Sequence, residues 1–217
     1  THFATAYRDE GGADYLCARI GSVSGTTITM GTEKEMTAAA ITEDSLAICT
    51  PTDGVIAIAY ADGDDDTAVI AAPYTGTTVG TLGSVVEFDA AAPTDISCCR
   101  MQSGYIFVCY TDAGGSLYGR VASVSTAGAI GTPGTEKAIV AFIPTYLNAV
   151  YVEENKVIIG YEDNANDVEA VACTTVSGAT TITAGTATNF SGAISATDVG
   201  LDMIDNTQGI IKWDDGT

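Results

Sequence analysis

Hydrophobic and polar positions alternate along this chain in short runs, and the runs end at turns rich in Gly, Asp, Asn and Ser. Apolar runs such as VIAIAY, YIFVCY and VIIGY are separated by segments such as TPTDG, SGTTIT and EENK. This pattern predicts short strands joined by hairpin turns. Within the apolar runs consecutive positions are hydrophobic, so we expect these strands to be buried on both faces. The period-2 patterning and the scarcity of helical runs predict an all-β protein.

A repeat of about 50 residues organises the predicted strands. Five apolar strands end in an aromatic residue that is followed two positions later by Asp; the aromatic residues are Tyr7, Tyr60, Tyr110, Tyr161 and Trp213. In-phase Gly-Thr or Gly-Ser pairs follow at Gly31, Gly83, Gly134 and Gly185. Each unit contains four strand-like segments, the size of a β-propeller blade, whereas an immunoglobulin-like module needs about 100 residues.

The spacing predicts a β-propeller-like array of four-stranded antiparallel blades, with about four full repeats plus one extra strand. The predicted units of this single repeat domain are 3–54, 55–104, 105–156 and 157–208, with the extra strand at 209–217. Because the aromatic strand occurs once more than the other strand types, we expect a longer repeat chain or pairing of the extra strand with another subunit.

Acidic turns follow the aromatic strands. In YADGDDD the alternating carboxylates of Asp62, Asp64 and Asp66 are typical of the start of a calcium loop. Across the repeats, however, a single aspartate keeps its phase; it is Asp9, Asp62, Asp112 or Asp163. One acid at one phase favours a structural role, in which the carboxylate accepts backbone amide hydrogen bonds in a tight turn. We therefore expect no cofactor; the metal candidates are a calcium site at Asp62, Asp64 and Asp66 and, after it, Asp163 and Asp167.

Composition excludes several partners. Eight basic and 28 acidic residues give a net charge of −20, and the basic residues are scattered, so nucleic acid is not an expected ligand. No apolar run is long enough to span a membrane as a helix. The six cysteines lie in apolar runs without a C-x-x-C pair, so we expect buried free thiols and a reducing site of folding. The spacing predicts that Cys17 and Cys173, and Cys49 and Cys98, are too far apart for disulfides.

Catalytic signatures are missing from the sequence: it has no G-x-S-x-G, no G-x-x-x-x-G-K and no H-E-x-x-H. The abundant turn aspartates nominate no acid–base pair, so we expect no enzyme activity. Aromatic residues outside the repeat phase are candidates for stacking on sugars; they are Tyr15, Tyr74, Tyr118, Tyr146 and Tyr151.

The repeat resembles those of about 50 residues in structural proteins of marine bacteriophages and picocyanobacteria. The resemblance is carried by SVSGTTITMGTE (22–33), TVSGATTITAGTATNF (175–190) and the Tyr-x-Asp strands, and it weakens in the second and third units. It implies a non-enzymatic structural or adhesion module of a virion, in a tail fibre, head fibre or decoration protein. The implied partners are other virion proteins, copies of itself and host surface glycans. Two alternatives stay open: a bacterial surface or secreted lectin-like β-propeller, and a propeller glycoside hydrolase.

Overall fold

The computed structural model of the chain describes residues 1–9, 13–41, 45–112, 114–191, 198–205 and 208–214. These residues form five separate antiparallel sheets and no helix, which confirms the all-β prediction. No segment among them is a helix that could cross a membrane.

The sheets follow one another along the chain. The first contains β1 (His2–Asp9), β2 (Tyr15–Ser24), β3 (Thr27–Met30) and β4 (Lys34–Ala40). The second contains β5 (Leu46–Thr52), β6 (Val55–Ala61), β7 (Thr67–Thr75), β8 (Thr78–Val79) and β9 (Val86–Asp89). The third contains β10 (Pro93–Gln102), β11 (Tyr105–Asp112), β12 (Leu117–Ser123) and β13 (Lys137–Val140). The fourth contains β14 (Thr145–Glu153), β15 (Lys156–Glu162), β16 (Val168–Thr174), β17 (Thr183–Ala184) and β18 (Thr188–Asn189). The fifth pairs β19 (Asp198–Met203) with β20 (Gly209–Asp214).

In the second to fourth sheets the aromatic strand lies second, between the strand that precedes it and the strand that follows it. In the first, second and fourth sheets the outer strand is divided into two segments that pair with the same neighbour, as β8 and β9 both pair with β7. The second to fifth sheets therefore begin one strand before the strand that carries the aromatic residue, whereas the predicted units begin at that strand. The strand that carries Trp213 is also paired, since β20 forms a hairpin with β19 instead of standing alone as an extra strand.

Apolar side chains fill the space between successive sheets. All seven residues of β6 are buried, and so are the six central residues of β11. Along these strands alternate side chains face opposite neighbours: Tyr60 packs with the first sheet and Ala59 with the third. The prediction that the aromatic strands are buried on both faces is confirmed for these two strands.

The first strands of the second to fifth sheets meet around a shared channel. Residues of β5, β10, β14 and β19 line a cavity of about 440 Å³. All six cysteines are free thiols, and five of them are buried. Cys49 and Cys98 line this cavity together as free thiols, and the neighbouring Cys98 thiol, with burial, raises the pKa of Cys49. Neighbouring sheets converge there, so near-equivalent positions on first strands lie close together.

The in-phase glycines hold neighbouring sheets together. The amide groups of Gly31, Gly83, Gly134 and Gly185 donate over 2.8–2.9 Å to carbonyl oxygens of the strand that follows the aromatic strand in their own sheet. In the first three sheets the missing side chain makes room for a turn of the next sheet. A Cβ atom at Gly31 would lie 1.8 Å from the carbonyl oxygen of Thr77, and one at Gly83 would lie 2.1 Å from that of Gly128.

The acidic turns share one geometry. The Oδ1 atom of Asp62 accepts hydrogen bonds from the amides of Asp64 and Asp66, both over 3.0 Å. In the fourth sheet the Oδ1 atom of Asp163 accepts two amide hydrogen bonds in the same way, and that of Asp112 accepts one, from Ser116 over 3.2 Å. The turn that follows Asp9 extends beyond the described residues.

Candidate functional site

The repeat tyrosines present their hydroxyl groups at the same level of each sheet. Tyr60, Tyr110 and Tyr161 are almost completely buried. The hydroxyl of Tyr110 donates to Glu136 over 2.8 Å, that of Tyr161 donates to Glu169 over 3.0 Å, and that of Tyr7 donates to Glu33. Burial first, and then the neighbouring glutamate, raises the pKa of Tyr110 and of Tyr161. These hydroxyls therefore stay protonated and act as fixed donors.

The most polar of these positions lies between the second and third sheets, and we call it the polar cleft. Its residues are Asp89 of the second sheet and Tyr110, Tyr118, Arg120 and Glu136 of the third. Arg120 lies on β12 between Tyr118 and Ala122, which pack toward the second sheet, so strand alternation directs the guanidinium the same way. Its Nη2 atom is 3.6 Å from Glu136 Oε2, the atom to which Tyr110 donates.

Two further groups complete the polar cleft. The Tyr118 ring lies 6.2 Å from that of Tyr110, with an angle of 30° between the planes. Asp89, at the end of β9, contributes a carboxylate from the facing sheet. Burial and the negative charge of Glu136 raise the pKa of Asp89, and Arg120 opposes this effect. The charges of Glu136 and Arg120 therefore both act on the Asp89 carboxylate.

The polar cleft is partly open to solvent and holds an unused donor. The side chains of Arg120 and Glu136 remain 27% and 31% exposed. The Arg120 Nε–H group is buried and has no hydrogen-bond partner among the described residues. Charged donors and acceptors beside aromatic rings are suited to a neutral ligand that carries several hydroxyl groups and an apolar face.

A second copy of this arrangement lies in the first sheet. Arg19 Nη2 is 3.1 Å from Glu33 Oε2, and Tyr7 donates to the same carboxylate. Arg19 lies on the face of β2 opposite Ala18 and Ile20, which pack on the second sheet. Among the described residues, no other sheet covers this face with a counterpart of Asp89.

The second and fourth sheets have apolar residues where the first and third have this pair. Ile70 and Val171 take the arginine position, and Val85 and Ala187 take the glutamate position. Sequence reasoning missed Arg19, Glu33, Arg120 and Glu136 because it compared single repeats, and these residues recur only in alternate units. The signal that would have found them is GTEK, present at 31–34 and again at 134–137.

The residues that the sequence nominated are spread over several places. Of the five candidate sugar-stacking aromatics, Tyr118 lies in the polar cleft, whereas Tyr151 lies beneath the Arg100 guanidinium, 5.2 Å from ring centroid to Cζ. Trp213 is 36% exposed on the fifth sheet. Within the described ranges no group of three or more His, Cys, Asp or Glu side chains is arranged to hold a metal ion. Calcium at Asp62, Asp64 and Asp66 stays a prediction.

No protein-family model matches the chain, and no curated protein is significantly similar to it. Among solved structures it is similar to the Aleuria aurantia lectin, described as a six-bladed β-propeller with a novel mode of fucose recognition (TM-score 0.55, 18% identity). A variant of that lectin in complex with α-methyl-L-fucoside matches with a TM-score of 0.54 and 16% identity. Each match covers 86% of this chain and 56% of the lectin. A variant of AofleA from Arthrobotrys oligospora, in which three evenly spaced arginines are replaced by alanine, matches with a TM-score of 0.57, 13% identity and coverage of 87% and 56%.

These similarities concern the fold. At identities this low they support a β-propeller, as the repeat predicted. The chain spans little more than half the length of these three matched proteins.

Proposed function

We propose that this chain is a non-enzymatic, carbohydrate-binding β-propeller module and that the polar cleft is its sugar site. The observation that carries the proposal is the Tyr110–Glu136–Arg120 cluster at the junction of two sheets, with its unused Arg120 Nε–H donor. The carboxylate and the guanidinium bind adjacent sugar hydroxyls through charge-assisted hydrogen bonds. The ring of Tyr118 offers an apolar surface for the C–H face of the sugar.

The structural neighbours support this proposal. The Aleuria aurantia lectin is described with a fucoside bound, and the Arthrobotrys oligospora variant shows that regularly spaced arginines were chosen for replacement in a protein of similar fold. Arg19 and Arg120 of the present chain also recur in phase, but two repeats apart. Of the readings that the sequence left open, the lectin-like propeller therefore has the strongest support.

The test is titration of the protein with α-methyl-L-fucoside and a panel of other methyl glycosides, followed by NMR and calorimetry. We expect saturable binding of at least one glycoside. Glu136→Gln and Arg120→Ala each weaken it by about tenfold or more, because hydrogen bonds to charged groups contribute about 1.5–3 kcal/mol. Glu154→Gln is the matched control, since it breaks another Arg–Glu pair, with Arg100, outside the polar cleft. Loss of binding in the control but not in Glu136→Gln would move the site elsewhere.

Glycoside hydrolysis is the second candidate function, because Asp89 and Glu136 are two carboxylates in one cleft. A glycosidase needs one carboxyl group to protonate the leaving oxygen and another to act as nucleophile or base. Glu136 already accepts from Tyr110 and faces Arg120, which suits a fixed acceptor better than a proton donor. Release of nitrophenol from aryl glycosides, lost in Asp89→Asn, would favour the enzyme over the lectin.

The setting of the module is a separate proposal. Its resemblance to phage structural repeats supports a virion as the setting, where a glycan-binding propeller would serve host attachment. The alternative setting is a bacterial surface or a secreted lectin. Capsid, portal and tail genes beside this gene, and the protein itself in purified particles by mass spectrometry, would support the virion. Particles that lack it would favour the alternative.

A further inference from the structure

Tyr60 differs from the other repeat tyrosines in what its hydroxyl contacts. In the first, third and fourth sheets the equivalent hydroxyl donates to a glutamate of its own sheet. In the second sheet the corresponding glutamate position holds Val85. Tyr60 is only 2% exposed, and its hydroxyl has no hydrogen-bond partner in the part of the chain that the structure describes. The hydroxyl is therefore available to a ligand that supplies a hydrogen-bond partner.

The Tyr60 side chain borders a cavity between the first and second sheets, which we call the Tyr60 cleft. Its volume is about 700 Å³, within the range of small-molecule sites. Its walls are mainly apolar and include Met36, Ile41, Leu82 and Val85. The cleft occupies the same place relative to its tyrosine as the polar cleft, but among the described residues neither an arginine nor a glutamate lines it. The Tyr60 cleft is therefore a mainly apolar cavity that is bordered by one phenolic hydroxyl group.

The mouth of the Tyr60 cleft is acidic. Asp62 and Asp64 both line it. Burial, followed by repulsion from Asp62, Asp64 and Asp65, raises the pKa of the neighbouring Asp66 carboxyl group. The chain as a whole carries a net charge of −20, so its field also favours a positively charged ligand. An anionic ligand would be repelled at the mouth, whatever its fit to the walls.

We propose that the Tyr60 cleft binds a small organic ammonium ion with an apolar body, such as an alkylamine or an arylalkylamine. The apolar body lies against Met36, Leu82 and Val85. The ammonium group lies between the Tyr60 hydroxyl, which accepts a hydrogen bond from it, and the carboxylates of Asp62 and Asp64. This site is independent of the polar cleft, because the two lie on opposite faces of the second sheet.

The experiment uses phenethylamine as the probe and the whole chain as the protein. NMR titration and calorimetry should show saturable binding, with 2-phenylethanol at least tenfold weaker and phenylacetate weaker still. Tyr60→Phe should weaken phenethylamine binding about two- to tenfold, the effect of one hydrogen bond of roughly 0.5–1.5 kcal/mol. Asp64→Asn should weaken it further, and Val85→Trp should abolish it by filling the cleft. Tyr161→Phe is the matched control and should leave binding unchanged, because it removes the equivalent hydroxyl two sheets away.

Three results would overturn the proposal. The first is the absence of saturable phenethylamine binding at millimolar concentration in a protein whose circular dichroism is unchanged. The second is equal affinity for phenethylamine, phenylethanol and phenylacetate, which would show that the acidic mouth selects nothing. The third is binding that salt removes but that Tyr60→Phe and Val85→Trp leave unchanged, which would show attraction to the acidic surface as a whole.

Discussion

Replacement of Gly83 by alanine should loosen the contact between the second and third sheets. Gly83 donates its amide hydrogen to Ala71 within its own sheet, and a turn of the third sheet approaches where a side chain would begin. An added Cβ atom would lie 2.1 Å from the carbonyl oxygen of Gly128. Contacts under 3.0 Å are not tolerated by real Cβ atoms, and the opposing atom belongs to the backbone, so a whole turn must move.

The expected cost follows from two opposing effects. Overpacking of a tight contact costs about 1–3 kcal/mol. Replacement of glycine by alanine at an unstrained position stabilises by about 0.4–1 kcal/mol, because the unfolded chain loses freedom. The φ angle of Gly83 is not in the left-handed region, so this gain applies. The net expectation is a loss of about 1–2 kcal/mol in the free energy of unfolding, or roughly 2–8 °C in Tm for a chain of this size.

Gly185 provides the matched control. It occupies the same phase in the fourth sheet, and its amide donates to Ala172. A Cβ atom at either Gly83 or Gly185 would lie 3.2 Å from a carbonyl oxygen of its own sheet, but among the described residues no turn approaches Gly185 from a neighbouring sheet. Gly185→Ala should therefore change the free energy of unfolding by less than about 0.5 kcal/mol.

The assay is urea denaturation followed by circular dichroism, with thermal melting as a second measure. The difference between the two variants isolates the contact with the next sheet, since the contact within the sheet is the same in both. If neither variant is destabilised, the contact with the next sheet costs nothing and the reasoning is refuted. If Gly185→Ala is destabilised by as much as Gly83→Ala, the cost arises within the sheet and the reasoning is also refuted.

Three further predictions concern other groups. A mild thiol oxidant should join Cys49 and Cys98, because both line one cavity, and should lower the protein mass by about 2 Da as two protons and two electrons pass to the oxidant. Peptide mapping that finds another pair, or no pair, would contradict this proximity. Folding raises the pKa of Asp89, so its ionisation opposes folding and Asp89→Asn should be more stable than the parent protein at pH 7. The difference in the free energy of unfolding should shrink as the pH falls toward the pKa of an unfolded aspartate. A difference that does not depend on pH would contradict this. If the acidic turns are structural, chelators should leave Tm unchanged, whereas a calcium-dependent rise of several degrees, lost on joint replacement of Asp62 and Asp64 by alanine, would establish a metal site.

The repeat period made the fold predictable, because the aromatic strand and its turn recur at nearly constant spacing. The repeat predicted where Gly83 recurs in each unit but not why glycine is needed there. The contact that requires glycine comes from a turn of the next sheet and depends on how the two sheets pack. The repeat also did not predict that Cys49 and Cys98 line one cavity, because the convergence of first strands is a property of the assembled sheets. Local pattern thus predicts what occurs within a sheet better than what occurs between sheets.

Under the two binding proposals, one backbone serves different ligands in the clefts between its sheets. Each has a tyrosine hydroxyl at the same level, fixed by the repeat. In the third sheet the hydroxyl is held by a glutamate that also faces an arginine, so the polar cleft suits hydroxyl groups of a sugar. In the second sheet both of those positions are apolar, so the hydroxyl is left to an occupant of the Tyr60 cleft. Because neither position belongs to the pattern that defines the strands, ligand chemistry can change from sheet to sheet without a change in fold.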